Sequence, residues 1–265
     1  MLLEIDGKRV FAATGGRPFD AKRPAVLFIH GAGLDHVCWQ LQSRWFAWHG
    51  WSALAVDLPG HGRTDGAPLP SIAAMSDWIV RFMDAAGIER AAIVGHSMGA
   101  AIALETAARA VGRVSQLALL GVSSSMPVHP ALLAAARNEP AQAYDMMTGW
   151  CHSPMAKLGG HPAPGLWMTG GSRALLNRNR PGVLASDLAA CNAWTSGPDA
   201  ARKVTCPTHF ILGTADVMTP PKKGAELAAL IAGAKTTTLA GAGHIMMAEA
   251  PDAVLDALIA HLGQA

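Results

Sequence analysis

The sequence predicts an α/β fold with a mostly parallel central sheet, helices on both faces of the sheet, and one inserted helical segment. Continuous apolar runs of strand length alternate with helical stretches, which is typical of parallel strands buried on both faces. The alternation stops between about residues 123 and 203, where helical pieces occur without a convincing strand. We therefore predict a core formed by residues 1–122 and 204–265, interrupted by a helical insertion over residues 123–203.

The composition limits the classes of protein to consider. The chain has 265 residues, 51% of them hydrophobic and 15% charged, with a net charge of +2. It can bury a large core, but it has no long basic run for nucleic acid and no uninterrupted apolar stretch for a membrane span. The N-terminus has acidic residues and no apolar region where a signal peptide would have basic and apolar ones, which predicts a cytoplasmic protein. Its cysteines are then expected to be free thiols.

Each element of the first half has a local signal. Asp6-Gly7 is a turn dipeptide between two short alternating runs, which predicts a hairpin over residues 2–13. Four apolar runs predict strands, at Ala25–Ile29, Ala53–Val56, Ala91–Val94 and Gln116–Leu120. Helices are predicted between them, at residues 39–48, from a cap at Ser71 to Gly87, and at Ala100–Ala110.

After the insertion the alternation returns. Strands are predicted at His209–Leu212 and Thr236–Leu239, and helices at Pro221–Ile231 and Pro251–Leu262. Two loops rich in glycine and proline follow strands, HGAG at residues 30–33 and DLPGHGRT at residues 57–64. Such clusters interrupt regular structure and mark turns.

The stretch IVGHSMGAA, residues 93–101, places Ser97 between a buried strand and an alanine-rich helix. Gly95 and Gly99 remove side chains where this turn is tight, and a turn of this kind exposes a serine hydroxyl for reaction. A serine needs a base to take its proton. His244 lies just past the last strand, on a glycine-rich loop that can reach back over the sheet edge. His96 is the alternative, but on a turn its side chain should point away from Ser97, so we interpret it as a packing residue.

Asp216 is the predicted partner of this base. It follows a strand directly, in FILGTADVMTP, and a carboxylate there can fix the tautomer of the imidazole and stabilise its charged form. The competing position, after Gln116–Leu120, reads LLGVSSS and has no carboxylate, and Asp57 is interpreted as a brace for its own loop. An oxyanion needs two N–H donors, which we assign to Met98, next to Ser97, and to Ala32 in the HGAG turn.

With HGAG, DLPGHGRT, GHSMGA, GTADVMTP and GAGH in this order, the chain resembles the α/β-hydrolase fold superfamily along nearly its whole length. The chain order serine, acid, histidine is also the family's order. The resemblance implies that Ser97 is the nucleophile, Asp216 the acid and His244 the base, with Ala32 and Met98 as oxyanion donors. It implies that residues 123–203 form the family's cap, or lid. The mechanism needs no cofactor.

The resemblance leaves several reactions open. The serine sets aside the dehalogenase and epoxide-hydrolase branches, which use aspartate, and His96 disfavours the carbon–carbon hydrolases, many of which carry asparagine there. We predict a serine hydrolase that cleaves carboxylic esters of small to medium apolar substrates through an acyl-enzyme. A lactonase or a cofactor-free perhydrolase is the alternative. A carbon–carbon bond hydrolase or a non-catalytic binding protein is less favoured.

Apolar residues of the insertion and of the motif loops predict an apolar substrate pocket. The candidates are Met126, Met146, Trp150, Trp167, Met218 and Ile245. Ordinary packing of the inserted helices on the core is the alternative interpretation of the same residues. The histidines of the insertion, His129, His152 and His161, match no zinc spacing, so we predict no metal and interpret them as structural or solvent-facing. The expected partner is a small ester or lactone.

Overall fold

The computed structural model describes residues 1–161 and 166–264. The strands of the described residues are β1 (Leu2–Ile5), β2 (Lys8–Ala13), β3 (Ala25–Ile29), β4 (Ser52–Val56), β5 (Ala91–His96), β6 (Val114–Leu120), β7 (Thr208–Gly213) and β8 (Lys235–Leu239). They form one sheet in the order β1-β2-β4-β3-β5-β6-β7-β8. The pairs β1–β2 and β2–β4 are antiparallel and the others are parallel. The predicted α/β fold with a mostly parallel sheet is confirmed.

The described helices are α1 (Gln40–Trp48), α2 (Ile72–Ala85), α3 (Met98–Arg109), α4 (Pro130–Asn138), α5 (Pro140–Cys151), α6 (Pro154–Lys157), α7 (Met168–Leu176), α8 (Val183–Ala193), α9 (Gly197–Ala201), α10 (Pro221–Ala228), α11 (Met246–Glu249) and α12 (Pro251–Leu262). A 3-10 turn, His36–Trp39, precedes α1. No described helix is long and apolar enough to cross a membrane.

The core lies on both sides of the central strands. Every residue of β3, β4, β5 and β7 is buried, as expected when helices cover both faces of a parallel sheet. Helix α1 packs against α12, and α2 packs against α3. The register pairs Ile29 with Gly95, and Gly95 with Leu119. The loops after β3, β5 and β6 therefore start at the same edge of the sheet.

Local chemistry sets the ends of several elements. The Ser71 hydroxyl accepts the Ala74 N–H at 3.1 Å and caps α2 as predicted, and Gly87 follows the helix with a φ of +67°. Asp6 and Gly7 have φ values of +51° and +69°. Because two successive positive φ values match the twist of a hairpin, the predicted turn between β1 and β2 is confirmed.

Between β6 and β7 the part of the chain that the structure describes contains helices α4–α9 and no strand. These helices lie inside the predicted insertion, 123–203, whose limits stay a prediction. Residues 162–165 of that segment and residue 265 of the predicted core lie outside the described part. Helix α9 packs against α3, and the Trp194 indole donates to the buried Glu105 carboxylate on α3 at 2.9 Å. The four cysteines are free thiols.

Candidate active site

Ser97 lies on the sharp turn between β5 and α3. Its φ and ψ are +55° and −117°, a conformation that costs a residue with a β carbon on the order of 1–3 kcal/mol. The turn is held from both sides. The Ser97 N–H donates to Leu120 O at 2.9 Å, and the Ser97 carbonyl accepts the N–H groups of Ala100 and Ala101 at 2.9 and 3.1 Å. A strained serine held in this way is typical of a nucleophile turn.

The glycines on either side of Ser97 allow backbone segments to touch. A β carbon added at Gly99 would lie 2.2 Å from Ile29 O, and one at Gly95 would lie 2.2 Å from Gly99 O. No side chain fits at these distances. The two glycines of GHSMG are therefore required by the packing of α3 against the sheet as well as by the turn itself.

Asp216 and His244 are joined by a hydrogen bond of 2.8 Å between Asp216 Oδ2 and His244 Nδ1. An ionised carboxylate only accepts hydrogen bonds, so Nδ1 carries the proton and Nε2 is left as an acceptor. The carboxylate is also fixed by the N–H groups of Met218 and Thr219 at 2.8 and 2.9 Å and by the Thr219 hydroxyl at 2.7 Å. Burial alone would raise the pKa of Asp216, but the charge and hydrogen bond of His244 and the Thr219 bonds lower it overall.

Gly121, directly after β6, occupies the position that competed with Asp216 in the sequence. Its φ is +59°, and a β carbon there would lie 3.1 Å from both Nδ1 and Cε1 of His244. The position therefore faces the imidazole but presents no carboxylate to it. The contact agrees with the choice of Asp216 as the partner of His244.

The loop that carries His244 is held by the inserted helices. The His244 N–H donates to Cys151 O, at the end of α5, at 2.8 Å. The Glu249 carboxylate accepts the N–H of Gly243 at 2.9 Å and the N–H of Ser153 at 3.3 Å. Glu249 is only 9% exposed, so these bonds are shielded from water. The imidazole position thus depends on both the core and the insertion.

His96 does more than pack, which corrects the interpretation made from the sequence. It is buried, its Nε2–H donates to the carbonyl of His244 at 2.8 Å, and the two rings lie 4.7 Å apart. Burial, and after it the charge of His244, lowers the pKa of His96 to about 3. The side chain is therefore a neutral imidazole that ties the Ser97 turn to the His244 loop.

The two predicted oxyanion donors lie on segments that adjoin Ser97. Met98 begins α3, and the first amide groups of a helix have no acceptor within the helix. Ala32 lies in a turn closed by a hydrogen bond of 3.1 Å from Leu34 N–H to Gly31 O. A β carbon at Gly31 would lie 3.3 Å from Ser97 Cβ, so this turn approaches the serine closely.

Two cavities meet at Ser97, one of about 20 Å³ and one of about 340 Å³. Both are lined by Ala32, Ser97, Met147 and His244. The narrow cavity holds little more than a water molecule, whereas the wide one reaches the size of a small-molecule pocket. Ser97 and His244 therefore both face the same two cavities.

Four predicted lining residues reach these cavities. Met126, Trp150 and Met218 line the wide cavity, and Ile245 lines the narrow one. The wide cavity is also lined by Leu188, on α8. Its surface is therefore mainly apolar, as the sequence predicts.

The predicted lining was wrong for Met146 and Trp167, which line neither cavity. Met147 lines both cavities instead of Met146, because neighbouring residues of a helix point about 100° apart. Trp167 is 73% exposed and lies outside both cavities. Its ring covers Gly170 near the start of α7, where an added β carbon would lie 2.1 Å from Trp167 Cε3.

Sequence reasoning missed three residues of polar type that line the narrow cavity, Thr148, His152 and Ser172. His152 Nδ1–H donates to Thr148 O at 3.0 Å, and Ser172 Oγ lies 3.1 Å from His152 Nε2. These hydrogen bonds give His152 a structural role, but its side chain also lines the narrow cavity beside Ser97. The spacing of Thr148 and His152, one helical turn apart, was the only signal in the sequence.

One group of described residues has the spacing to hold a metal ion: Asp35, His36 and Asp57. The atoms that would bind the metal already form hydrogen bonds within the protein. Asp57 accepts the His36 N–H at 2.8 Å, His36 Nδ1–H at 2.9 Å and the Arg63 N–H at 2.9 Å, while Asp35 accepts the Val37 N–H at 2.9 Å. Asp57 thus braces the loop after β4, as predicted.

Comparison with known proteins gives the wider context. A model of the alpha/beta hydrolase family matches residues 26–257. A pimeloyl-[acyl-carrier protein] methyl ester esterase of Neisseria meningitidis serogroup B is 30% identical over 239 residues, 83% of this chain and 85% of that protein. The enol-lactonase from Burkholderia xenovorans LB400 superimposes with a TM-score of 0.86 over 99% of both chains, at 24% identity.

A more identical match is also shorter. The dihydrolipoyllysine-residue acetyltransferase component of an acetoin cleaving system from Cupriavidus necator is 40% identical over 119 residues. The match covers 44% of this chain and 30% of that protein. The chain therefore spans less than a third of that relative's length.

Proposed function

This chain belongs to the alpha/beta hydrolase family, and from that premise we propose that it is a serine hydrolase that cleaves carboxylic esters with Ser97, His244 and Asp216. One observation carries the proposal. A strained serine lines the same two cavities as a histidine whose Nδ1 is bonded to a buried carboxylate. The similarity to an esterase over most of both chains supports the choice of ester bonds.

The first half of the reaction forms an acyl-enzyme. Nε2 of His244 takes the Ser97 proton as Oγ attacks the ester carbonyl. Asp216 keeps the proton of His244 on Nδ1 and stabilises the imidazolium that forms. The N–H groups of Ala32 and Met98 hold the oxyanion of the tetrahedral intermediate. His244 then gives its proton to the departing alcohol oxygen.

The second half regenerates the serine. A water molecule attacks the acyl carbonyl while His244 Nε2 takes one of its protons, and the same two N–H groups hold the second oxyanion. Ser97 leaves as its alkoxide and recovers a proton from His244. The carboxylic acid product then leaves the cavity, and the groups return to their first state.

The unequal cavities indicate which esters fit. The wide cavity, about 340 Å³ and mainly apolar, takes the bulkier apolar part of the ester. The narrow cavity, about 20 Å³, admits a part of one or two heavy atoms. We therefore expect esters with one short arm, such as acetates of a larger alcohol or methyl esters of a larger acid.

The test is hydrolysis of p-nitrophenyl esters from acetate to a long acyl chain. Ser97→Ala is expected to lower kcat/KM by at least about 10⁴-fold while the protein stays folded. Ser52→Ala is the control, since Ser52 is a buried serine at the start of β4, at the opposite edge of the sheet. A purified Ser97→Ala protein as active as wild type would refute the mechanism.

Lactone opening and perhydrolysis need the same three residues, so the same preparation is tested on both. Ring opening of lactones faster than hydrolysis of any ester would make the protein a lactonase. Peracid formation in competition with hydrolysis would make it a perhydrolase. An ester needs room on both sides of Ser97, and the two cavities supply it, which favours open-chain esters.

A further inference from the structure

Two side chains from the segment between β6 and β7 hold both backbone polar groups of Gly33, the residue that follows Ala32. The Gly33 N–H donates to Asp187 Oδ2, on α8, at 2.8 Å. The Gly33 carbonyl accepts a hydrogen bond from Asn179 Nδ2, just after α7, at 2.7 Å. The Gly33 N–H lies in the same rigid peptide plane as the Ala32 carbonyl. The rotation of this plane relative to the Ala32 nitrogen is the ψ dihedral of Ala32, so hydrogen bonds that hold the plane restrict that dihedral.

The contact between this turn and the insertion is close. Gly33 has a φ of +67°, and a β carbon there would lie 2.9 Å from Leu184 Cδ1 and 3.0 Å from Leu176 Cδ2. The turn therefore touches α7 and α8 directly. A shift of either helix would move the turn or break its two hydrogen bonds.

Asp187 is fully buried and forms an ion pair with a core histidine. Its Oδ2 lies 2.8 Å from His61 Nε2, and His61 Nδ1 lies 3.1 Å from Pro59 O. Both ring nitrogens then donate, which is the charged form of histidine. Burial lowers the pKa of His61, but the charge and hydrogen bond of Asp187, with the Pro59 carbonyl, raise it overall.

A buried ion pair of this kind adds little net stability to a fold. Desolvation of both charges offsets most of their attraction, and apolar residues of similar volume often serve as well. In addition, Asp187 Oδ1 has no hydrogen-bond partner among the described residues. Packing alone therefore gives no reason for a carboxylate at this position, whereas the bond to the Gly33 N–H does.

We infer that Asp187, with Asn179, is a positioning residue that holds the Gly31–Leu34 turn so that the Ala32 N–H faces the oxyanion. The inference rests on the proposed function. It makes oxyanion stabilisation depend on docking of the inserted helices, since both side chains come from the insertion. Neither residue lines a cavity that reaches Ser97, so their effect is on the transition state and not on substrate binding.

The experiment compares Asp187→Ala, Asp187→Asn and Asn179→Ala with wild type. The readouts are kcat and KM for a p-nitrophenyl ester, and the rate at which a fluorophosphonate labels Ser97. Phosphonylation of serine also passes through a transition state with a charged oxygen, so it reports oxyanion stabilisation without turnover. We expect Asp187→Ala to lower kcat and the labelling rate together, on the order of 10- to 100-fold, with little change in KM.

Asp187→Asn keeps an oxygen that can accept the Gly33 N–H, and is expected to recover part of both rates. If Asp187→Ala does not fold, Asp187→Asn and Asn179→Ala still test the inference. Ser52→Ala is the matched control, because Ser52 Oγ accepts the N–H of Asp20 and donates to its carbonyl at the opposite sheet edge. It should lower stability without changing either rate.

Folded variants of Asp187 and Asn179 with wild-type kcat and labelling rates would overturn the inference. So would a rise in KM alone, which would assign these residues to substrate binding. A wild-type protein that neither hydrolyses esters nor reacts at Ser97 would instead overturn the proposed function, and the inference with it. An active wild type with unaffected variants would overturn only the inference.

Discussion

The neutral histidine beside Ser97 predicts a loss of stability in acid. His96 is 1% exposed, its Nε2–H donates to His244 O, and its Nδ1 has no partner among the described residues. With its pKa lowered to about 3, the folded protein keeps this imidazole uncharged well below neutral pH. The unfolded chain protonates it near its ordinary pKa of 6.5.

The magnitude follows from the two pKa values. Between them only the unfolded state binds the proton, so the free energy of unfolding falls as the pH drops from about 6.5 to about 3. From pH 7.5 to pH 5, this one group accounts for a loss of about 2 kcal/mol. The carboxyl groups with lowered pKa values, Asp57 and Asp216, lose their contribution only at lower pH.

The perturbation is His96→Gln, which does not titrate and keeps an N–H donor for the carbonyl of His244. Urea unfolding of both proteins at pH 7.5 and pH 5 gives four free energies by linear extrapolation. The variant is expected to lose about 2 kcal/mol less than wild type between the two pH values. Its absolute stability does not enter this difference. Equal losses in the two proteins would refute the reasoning.

Two further predictions test the packing around Ser97. Gly99→Ala should lower the free energy of unfolding by about 1–3 kcal/mol or more, because the added methyl meets Ile29 O. The control is Gly171→Ala, where the added methyl meets nothing within 4 Å. This variant should leave the free energy of unfolding unchanged or raise it by up to about 1 kcal/mol. Equal losses of the two variants in urea unfolding would contradict this account. Met147→Ala enlarges both cavities and should move the preferred acyl chain of p-nitrophenyl esters to greater length, while Met146→Ala should not. A profile that shifts only with Met146→Ala would show that the lining is wrong.

The elements with a local signal are the ones that the sequence predicts well. Ser71 caps α2 through its own side chain, and Asp6-Gly7 makes the hairpin turn, so neither depends on distant contacts. The short helix α11 and the 3-10 turn before α1 were not predicted. Each has four residues, too few for a hydrophobic period to appear.

The sequence could not predict in which direction the side chains of the insertion point. Met146 and Met147 are equally apolar neighbours, and only the docking of α5 decides which one faces Ser97. Trp167 is of a residue type that often lines apolar pockets, yet it lies exposed at the start of α7. A tertiary contact is also the reason that His96 was interpreted too simply, since its hydrogen-bond partner lies 148 positions away.

The contacts of the insertion limit how it could be exchanged between related enzymes. A chimera that received another protein's residues 123–203 would keep a carbonyl to replace that of Cys151, since every residue supplies one. Unless the donor carries the same two side chains, the chimera would lose Asp187 and Asn179, and with them both hydrogen bonds to Gly33. Variation intended to change the substrate range therefore belongs at Met126, Met147 and Trp150, within an insertion that is otherwise retained.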